Sequence, residues 1–394
     1  MKKISVAHAK KRVTILGSTG SVGTQTIDLV TRAPERYEVV ALTANRNLAK
    51  LVEQARALKP ELVVIGDDSQ YQALKDALAD TNIAVAAGAK AIEEAAAGDS
   101  DWVMSAIVGA AGLPPTLAAA RRGATIAFAN KETLVCAGSL MMKLVADAGA
   151  RLLPVDSEHN AIYQVFDFDH PEAIARLILT ASGGPFRSVS RDAMAKMTPQ
   201  QAIKHPVWSM GAKISIDSAT LMNKALEVIE AHHLFAMPPE KIDVLVHPQS
   251  VIHSMVEYED GSVLAQMGSP DMRTPIGYCL AWPERMPTPS PKLDLAKIAQ
   301  LTFEAPDAVK FPALRFAREA MDKGGTAPAA LSAANEVAVQ AFLDGRIGFL
   351  DIERINEHVL TKLPVATLTD LQVLAEVDAA ARRMAESEVG RSVR

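Results

Sequence analysis

Short, apolar, β-branched runs alternate with longer amphipathic stretches through the first 155 residues. The runs fall at 13–16, 38–43, 62–65, 83–86, 102–107, 125–129 and 151–155, with helix-like stretches such as 47–58 and 69–79 between them. Strands that are apolar throughout and separated by helices predict a parallel sheet covered on both faces, a doubly wound, Rossmann-like α/β domain over 1–155. From residue 156 the pattern changes. Runs at 176–181, 213–217, 243–247, 253–259 and 262–268 read as strands, the last two joined by the hairpin signal Asp260-Gly261. They predict a central α+β catalytic domain over 156–281 with a mostly antiparallel sheet. A Pro-rich segment at 282–294 marks an exposed linker over 282–307, and Ala-rich helical patterns at 310–323, 327–343 and 369–388 predict a C-terminal helical bundle over 308–394.

Composition narrows the function classes. A chain of 394 residues is too long for one ordinary core, and 49% hydrophobic with 22% charged residues is typical of soluble globular proteins. The net charge of -5 leaves no basic footprint for a nucleic-acid partner. Residues 102–120 are uncharged, but Gly112, Pro114 and Pro115 divide them into a strand, a turn and a helix start, so no membrane span is expected. Cys136 and Cys279 lie in apolar stretches without metal-binding spacing and read as two reduced core thiols of a cytoplasmic protein. The basic N-terminus lacks the apolar stretch of a signal peptide.

Candidate chemistry begins at Gly17-Ser-Thr-Gly20-Ser-Val-Gly23, between the first strand and a helix. Glycines there let the backbone turn tightly and approach a pyrophosphate, which the helix N-terminus attracts. The spacing is GxxGxxG rather than GxGxxG, so a purely structural turn is the alternative. The second strand leads into Ala44-Asn45-Arg46-Asn47, with no acid for a ribose hydroxyl and an Arg that suits a 2′-phosphate, which favours NADP over NAD. A solvated surface Arg is the plainer account.

Asp156-Ser157-Glu158 follows the strand at 151–155, at the carboxyl end of a parallel sheet where such folds bind ligands. Read as extended chain, residues two apart point to one side, so both carboxylates can meet one cation, and oxygen donors select Mg²⁺ or Mn²⁺. Ser182-Gly183-Gly184-Pro185 is a polar turn suited to an anion, and Ser218 reads as the N-cap of a helix carrying Asn223, Lys224 and Glu227 on one face. A phosphate at that helix start is the physical reading. Glu227 is a candidate third carboxylate; by spacing Glu230 or Asp217 competes, and a plain charged helix face is the alternative. Lys131 sits at the end of the strand at 125–129, and the loop 204–211 carries Trp208 and Met210 as a candidate lid.

Together these segments resemble the 1-deoxy-D-xylulose 5-phosphate reductoisomerase family over essentially the whole chain. The resemblance is carried by GSTGSVG (17–23), AIVGAAGLPPTLAA (106–119), ANKETLV (129–135), LLPVDSEHNAIYQ (152–164), SGGPFR (182–187), HPVWSMGAKISIDSATLMNKALEVIEA (205–231) and HPQSVIHSMV (247–256). It implies Asp156, Glu158 and Glu227 as ligands of Mg²⁺ or Mn²⁺. It implies substrate contacts at Lys131, Ser157, Glu158, Ser182, His205, Trp208, Ser218, Asn223, Lys224 and Glu227, with Lys131 also catalytic. NADPH contacts are implied at Thr19, Gly20, Ser21, Val22, Arg46, Asn47, Asn130, Glu132 and Gly211. The implied reaction rearranges 1-deoxy-D-xylulose 5-phosphate, a small phosphorylated sugar, by retro-aldol cleavage and re-addition. NADPH then reduces the aldehyde to 2-C-methyl-D-erythritol 4-phosphate, an isoprenoid precursor. A homodimer is implied as well. Two departures stand out: Asn45-Arg46-Asn47 where many members have Gly-Lys-Asn, and about ten residues before the first strand, expected to be disordered.

Two other readings fit parts of the pattern. An NADP-dependent dehydrogenase without skeletal rearrangement has little use for three converging carboxylates. A non-catalytic NADPH sensor could share the fold, since fold alone does not prove function.

Overall fold

The computed structural model of the chain describes residues 9–205, 207, 208 and 211–392. Most of the N-terminal extension, and Met210 of the candidate lid, lie outside them. The described residues divide into two compact units, and the division does not follow chain order.

The first unit holds residues up to Asn130, Lys143–Asp156 and Met272–Ser290. Its strands are β1 (Lys11–Leu16), β2 (Tyr37–Ala44), β3 (Leu62–Ile65), β4 (Ala84–Ala87), β5 (Trp102–Ser105), β6 (Thr125–Phe128) and β7 (Arg151–Pro154). They form one sheet in the order β4-β3-β2-β1-β5-β6-β7, every pairing parallel. Each strand matches an apolar run of the sequence, because helices cover both faces and no residue of a central strand needs to be polar. Val13, Ile15, Leu16, Val63, Val64 and Ile65 are fully buried. The strand order reverses between β1 and β5, the position at which open α/β sheets leave a crevice at the carboxyl ends.

Residues 272–290 belong to this unit, not to the central region or a free linker. Helix Arg273–Ala281 buries Ile276, Cys279 and Leu280. The Trp102 indole donates to the Cys279 carbonyl at 3.0 Å, Lys11 donates to the Leu280 carbonyl at 2.9 Å, and the Arg151 guanidinium lies 3.9 Å from the Trp282 ring centre. The prolines after 282 suggest a linker; the apolar face just before them overrides that signal.

The second unit comprises Lys131–Met142, Ser157–Asp271 and the chain from Pro291 onward. Its sheet contains β8 (Ile174–Ala181), β9 (Ile242–Val246), β10 (Ile252–Tyr258) and β11 (Val263–Met267) in the order β11-β10-β8-β9. β10 runs antiparallel to β8 and β11, while β9 runs parallel to β8. Gly261 takes φ +84° in the hairpin between β10 and β11. Helices Ala313–Lys323, Ala327–Leu343, Asp351–Lys362 and Leu371–Ser392 make up the helical C-terminal region.

The segment 213–217 is not a strand. It lies in helix Ala212–Ala219, whose C-terminal end meets Leu221 at φ 60° before helix Met222–Phe235 begins. Ile214 and Ile216 alternate with polar residues as in a strand, but Ala212, Ile216 and Ala219 also recur at helical spacing, and five residues do not separate the two periods. Ser218 therefore ends one helix instead of capping the next. Helix Met222–Phe235 is covered on two sides. Leu226 and Ile229 pack with Phe316, Ala317 and Leu331, and Val228, Ala231 and Phe235 pack with residues of β8. Lys224, Glu227 and Glu230 are consequently forced inside the protein. No helix among the described residues is long and apolar enough to cross a membrane.

Candidate functional site

At the carboxyl end of β1, Gly17 takes φ +77°, and a Cβ there would lie 2.7 Å from the Ala106 carbonyl oxygen. A Cβ on Gly23 would sit 2.6 Å from the Ser18 Cα and collide with the Gly17 carbonyl. These two contacts are with backbone and cannot be relieved by moving a side chain, so glycine is required for the turn to fold back on its own helix. Gly20 precedes helix Ser21–Thr31, and Thr19, Gly20, Ser21 and Val22 line its exposed N-terminal turn. Arg46 is exposed, with its guanidinium 3.4 Å from Asp67, an acid supplied by the end of β3. Asn47 caps helix Leu48–Leu58 by accepting from the Lys50 amide. The buried Asn130 donates its amide group to the carbonyls of Ile107 and Gly109, which holds the loop after β5. Glu132 and Gly211 belong to the second unit, where Glu132 lies 3.6 Å from the Lys213 ammonium and Gly211 precedes helix Ala212–Ala219.

Asp156 lies two residues past the end of β7, and the chain after it is helical from Ser157 to Val165. The pair Asp156 and Glu158 is therefore brought together by the entry into a helix, not by strand alternation. Asp156 is one peptide bond from Ser157, so the chain itself fixes it beside Glu158. Donor oxygens of Asp156, Glu158 and Glu227 lie within 4.8 Å of one another. Glu227 is fully buried, and its carboxylate meets the Lys131 ammonium at 3.1 Å, the Lys224 ammonium and the Asn223 amide. Lys131 also donates to Asn223 at 2.8 Å, and Lys224 reaches Glu158 at 3.1 Å. The Ser157 hydroxyl bonds Glu158 at 2.6 Å.

The competing acids are engaged elsewhere. Glu230 meets His159 at 3.0 Å; Asp217 accepts from Asn335 at 2.8 Å and pairs with Lys213 at 2.5 Å. Burial alone would lower the Lys213 pKa, but Asp217 and Glu132 outweigh it and hold the amine charged. Asn335 is not legible as a partner of Asp217 in the sequence, because 118 positions separate them, and Lys213 is hidden because 213–217 reads as a strand, whereas the pair with Asp217 is a helical i,i+4 contact.

A polar turn adjoins these groups in the second unit. Ser182 bonds His205 Nε2 at 2.9 Å, and His205 Nδ1 accepts the amides of Val207 (3.2 Å) and Trp208 (2.8 Å). Nδ1 is thus an acceptor and Nε2 carries the hydrogen toward Ser182. Burial lowers the His205 pKa, which keeps this neutral tautomer. Gly184 takes φ +69°, and a Cβ there would lie 2.5 Å from the Ser218 carbonyl oxygen, so the turn and the end of helix Ala212–Ala219 are in contact. Trp208 of the candidate lid is half-buried, with its ring 6.1 Å from that of His253.

A doubly wound nucleotide-type sheet, joined in one chain to a partly buried carboxylate cluster, defines the class of metal-assisted, dinucleotide-dependent enzymes. Comparison with known proteins gives the particular family. The family model described as 1-deoxy-D-xylulose 5-phosphate reductoisomerase matches residues 13–138, and models of C-terminal domains of the same enzyme match 152–235 and 267–384. The 1-deoxy-D-xylulose 5-phosphate reductoisomerase of Rhodospirillum centenum is 63% identical, the match covering 96% of this chain and 94% of that protein. That of Caulobacter vibrioides is 56% identical with 96% of each covered. The reductoisomerase from Zymomonas mobilis in complex with NADPH superposes with a TM-score of 0.93 at 54% identity, covering 97% of this chain and 99% of that one. A reductoisomerase in complex with NADPH, fosmidomycin and magnesium gives 0.93 at 41% identity, covering 96% and 98%. The chain belongs to the 1-deoxy-D-xylulose 5-phosphate reductoisomerase family.

Proposed function

We infer that this chain converts 1-deoxy-D-xylulose 5-phosphate to 2-C-methyl-D-erythritol 4-phosphate in an NADPH- and divalent-metal-dependent rearrangement and reduction. The observation that carries the reading is the cluster of half-buried Asp156 and Glu158 with fully buried Glu227, and two ammonium groups on it, in a chain of this family. Three carboxylates offering only oxygen fit Mg²⁺ or Mn²⁺, and the cluster leaves little reason to prefer a dehydrogenase without rearrangement. A metal held by these residues would act as a Lewis acid on substrate oxygens. NADPH, held at Thr19–Val22, Arg46, Asn47, Asn130, Glu132 and Gly211, would supply the hydride.

The chain's own groups bind, orient and exclude water. Lys131 presents a cation where negative charge develops on the rearranging oxygens, in a site where burial strengthens that interaction. Lys224, Asn223, Ser182, Ser218 and His205 supply donors for the substrate phosphate; the neutral His205 offers its Nε2–H together with Ser182. Ser157 holds Glu158 in place. Trp208, packed beside His253, covers the substrate and shields it from water.

The cofactor is assigned to the region 1–155 with Gly211 added, and the metal and substrate to 156–281 with Lys131 added. We assign the protein to the cytoplasm and to a homodimer. β11, with exposed Val263 and Leu264, lies at the edge of its sheet, where a second copy would find a surface to pair with. The test is NADPH oxidation followed by absorbance with 1-deoxy-D-xylulose 5-phosphate, with and without Mg²⁺ or Mn²⁺. Metal-dependent oxidation yielding the branched polyol phosphate is the expected result; none from a folded, NADPH-binding protein would overturn it in favour of a sensor.

A further inference from the structure

His159 follows Glu158 on helix Ser157–Val165 and has no part in the chemistry above. Its side chain is fully buried, and both ring nitrogens meet one turn of helix Met222–Phe235. Nε2 lies 2.9 Å from the Glu227 carbonyl oxygen, and Nδ1 lies 3.0 Å from the buried Glu230 carboxylate. A carbonyl only accepts, so the Nε2 hydrogen points at Glu227. The Phe235 ring stands 6.4 Å from the imidazole and closes off a third side. Seated by one hydrogen bond and one close polar contact against residues three apart on one helix, the buried ring resists both sliding and rotation of the two helices against each other.

Those two helices carry Glu158 and Glu227. Burying a histidine and a carboxylate costs solvation that an apolar pair of the same volume would avoid, so a role beyond packing has to account for it. Mg²⁺ tolerates little error in the placement of its donors, whereas a slip of one residue moves a helix by about 1.5 Å. We propose that His159 and Glu230 are positioning residues that lock the register of the two helices and so hold the Glu158 and Glu227 carboxylates at the spacing a divalent cation requires. This rests on the metal reading of the Asp156, Glu158 and Glu227 cluster.

The test titrates Mn²⁺ into the full chain without substrate or NADPH, reading free Mn²⁺ by electron paramagnetic resonance. The variants are His159→Leu, His159→Gln, which keeps a donor near the Nε2 position, and Glu230→Gln. NADPH affinity by fluorescence and Tm are measured on the same samples. His159→Leu should weaken Mn²⁺ binding at least about tenfold, as loss of groups that orient metal ligands does elsewhere. The two conservative variants should show smaller losses, and NADPH affinity should not change. Should His159→Leu fail to fold, the conservative pair still decides. Folded variants that bind Mn²⁺ like the wild type overturn the proposal, as does a parallel fall in Mn²⁺ and NADPH affinity, which would mark general loosening. A wild-type chain that takes up no Mn²⁺ overturns the metal reading and the lock together.

Discussion

The Lys131 ammonium lies 3.1 Å from one oxygen of the Glu227 carboxylate, while Lys224 bonds the other. Two ammonium groups thus face one fully buried carboxylate, an arrangement in which a divalent ion can take over their charge. Glu227→Gln should lower kcat at least about a hundredfold at saturating metal, with NADPH affinity unchanged, because it removes one charged ligand and leaves the cofactor turn alone. Steady-state kinetics beside a fluorescence titration checks this. Near-normal turnover would remove Glu227 from the metal assignment.

Gly23→Ala tests the cofactor turn by sterics alone. The new Cβ would press on the Ser18 and Gly17 backbone, so the turn must open. NADPH Kd should rise about tenfold or more, the equivalent of roughly 1.4 kcal/mol. An unchanged Kd would show that the turn does not face the cofactor.

Arg46→Ala addresses the 2′-phosphate. The pair with Asp67 is largely exposed on the Arg side, so stability should change by less than about 0.5 kcal/mol. NADPH binding should weaken about tenfold while NADH binding stays the same, since only the former loses a charge-assisted contact. Equal losses for both cofactors would contradict the assignment.

Acid stability has a definite sign. Burial pushes His233 and His253 down from 6.5 to about 4. Between those values the unfolded chain binds protons that the folded chain does not. Their stabilising effect is therefore complete above pH 6.5 and is lost as pH falls toward 4. Tm measured from pH 7.5 downward should fall through this window, and His233→Gln should flatten the curve. An unaltered slope in that variant would put the titration elsewhere.

The parallel sheet was readable because strands buried on both faces leave unbroken apolar runs. Residues 213–217 read as a strand although they lie in helix Ala212–Ala219, because two isoleucines in a five-residue window satisfy strand and helix periods alike. Strand alternation is the wrong local reason for the meeting of Asp156 with Glu158, since the chain is helical from Ser157. The third acid could not be chosen from helical spacing, which leaves Glu227 and Glu230 equivalent. What separates them is His159 against Glu230 and Lys131 against Glu227, contacts across 71 and 96 positions respectively. Asn335, which holds Asp217 from 118 residues away, is invisible for the same reason.

The return of residues 272–290 to the first unit has a consequence for biosynthesis. Trp102 finds its acceptor, the Cys279 carbonyl, 177 residues further on. All seven strands of the parallel sheet leave the ribosome before the helix that covers part of it exists. During that interval the sheet surface that this helix will cover stays open on the nascent chain, which lengthens the time available for wrong contacts. The order of translation, as much as the final packing, bears on the yield of native protein.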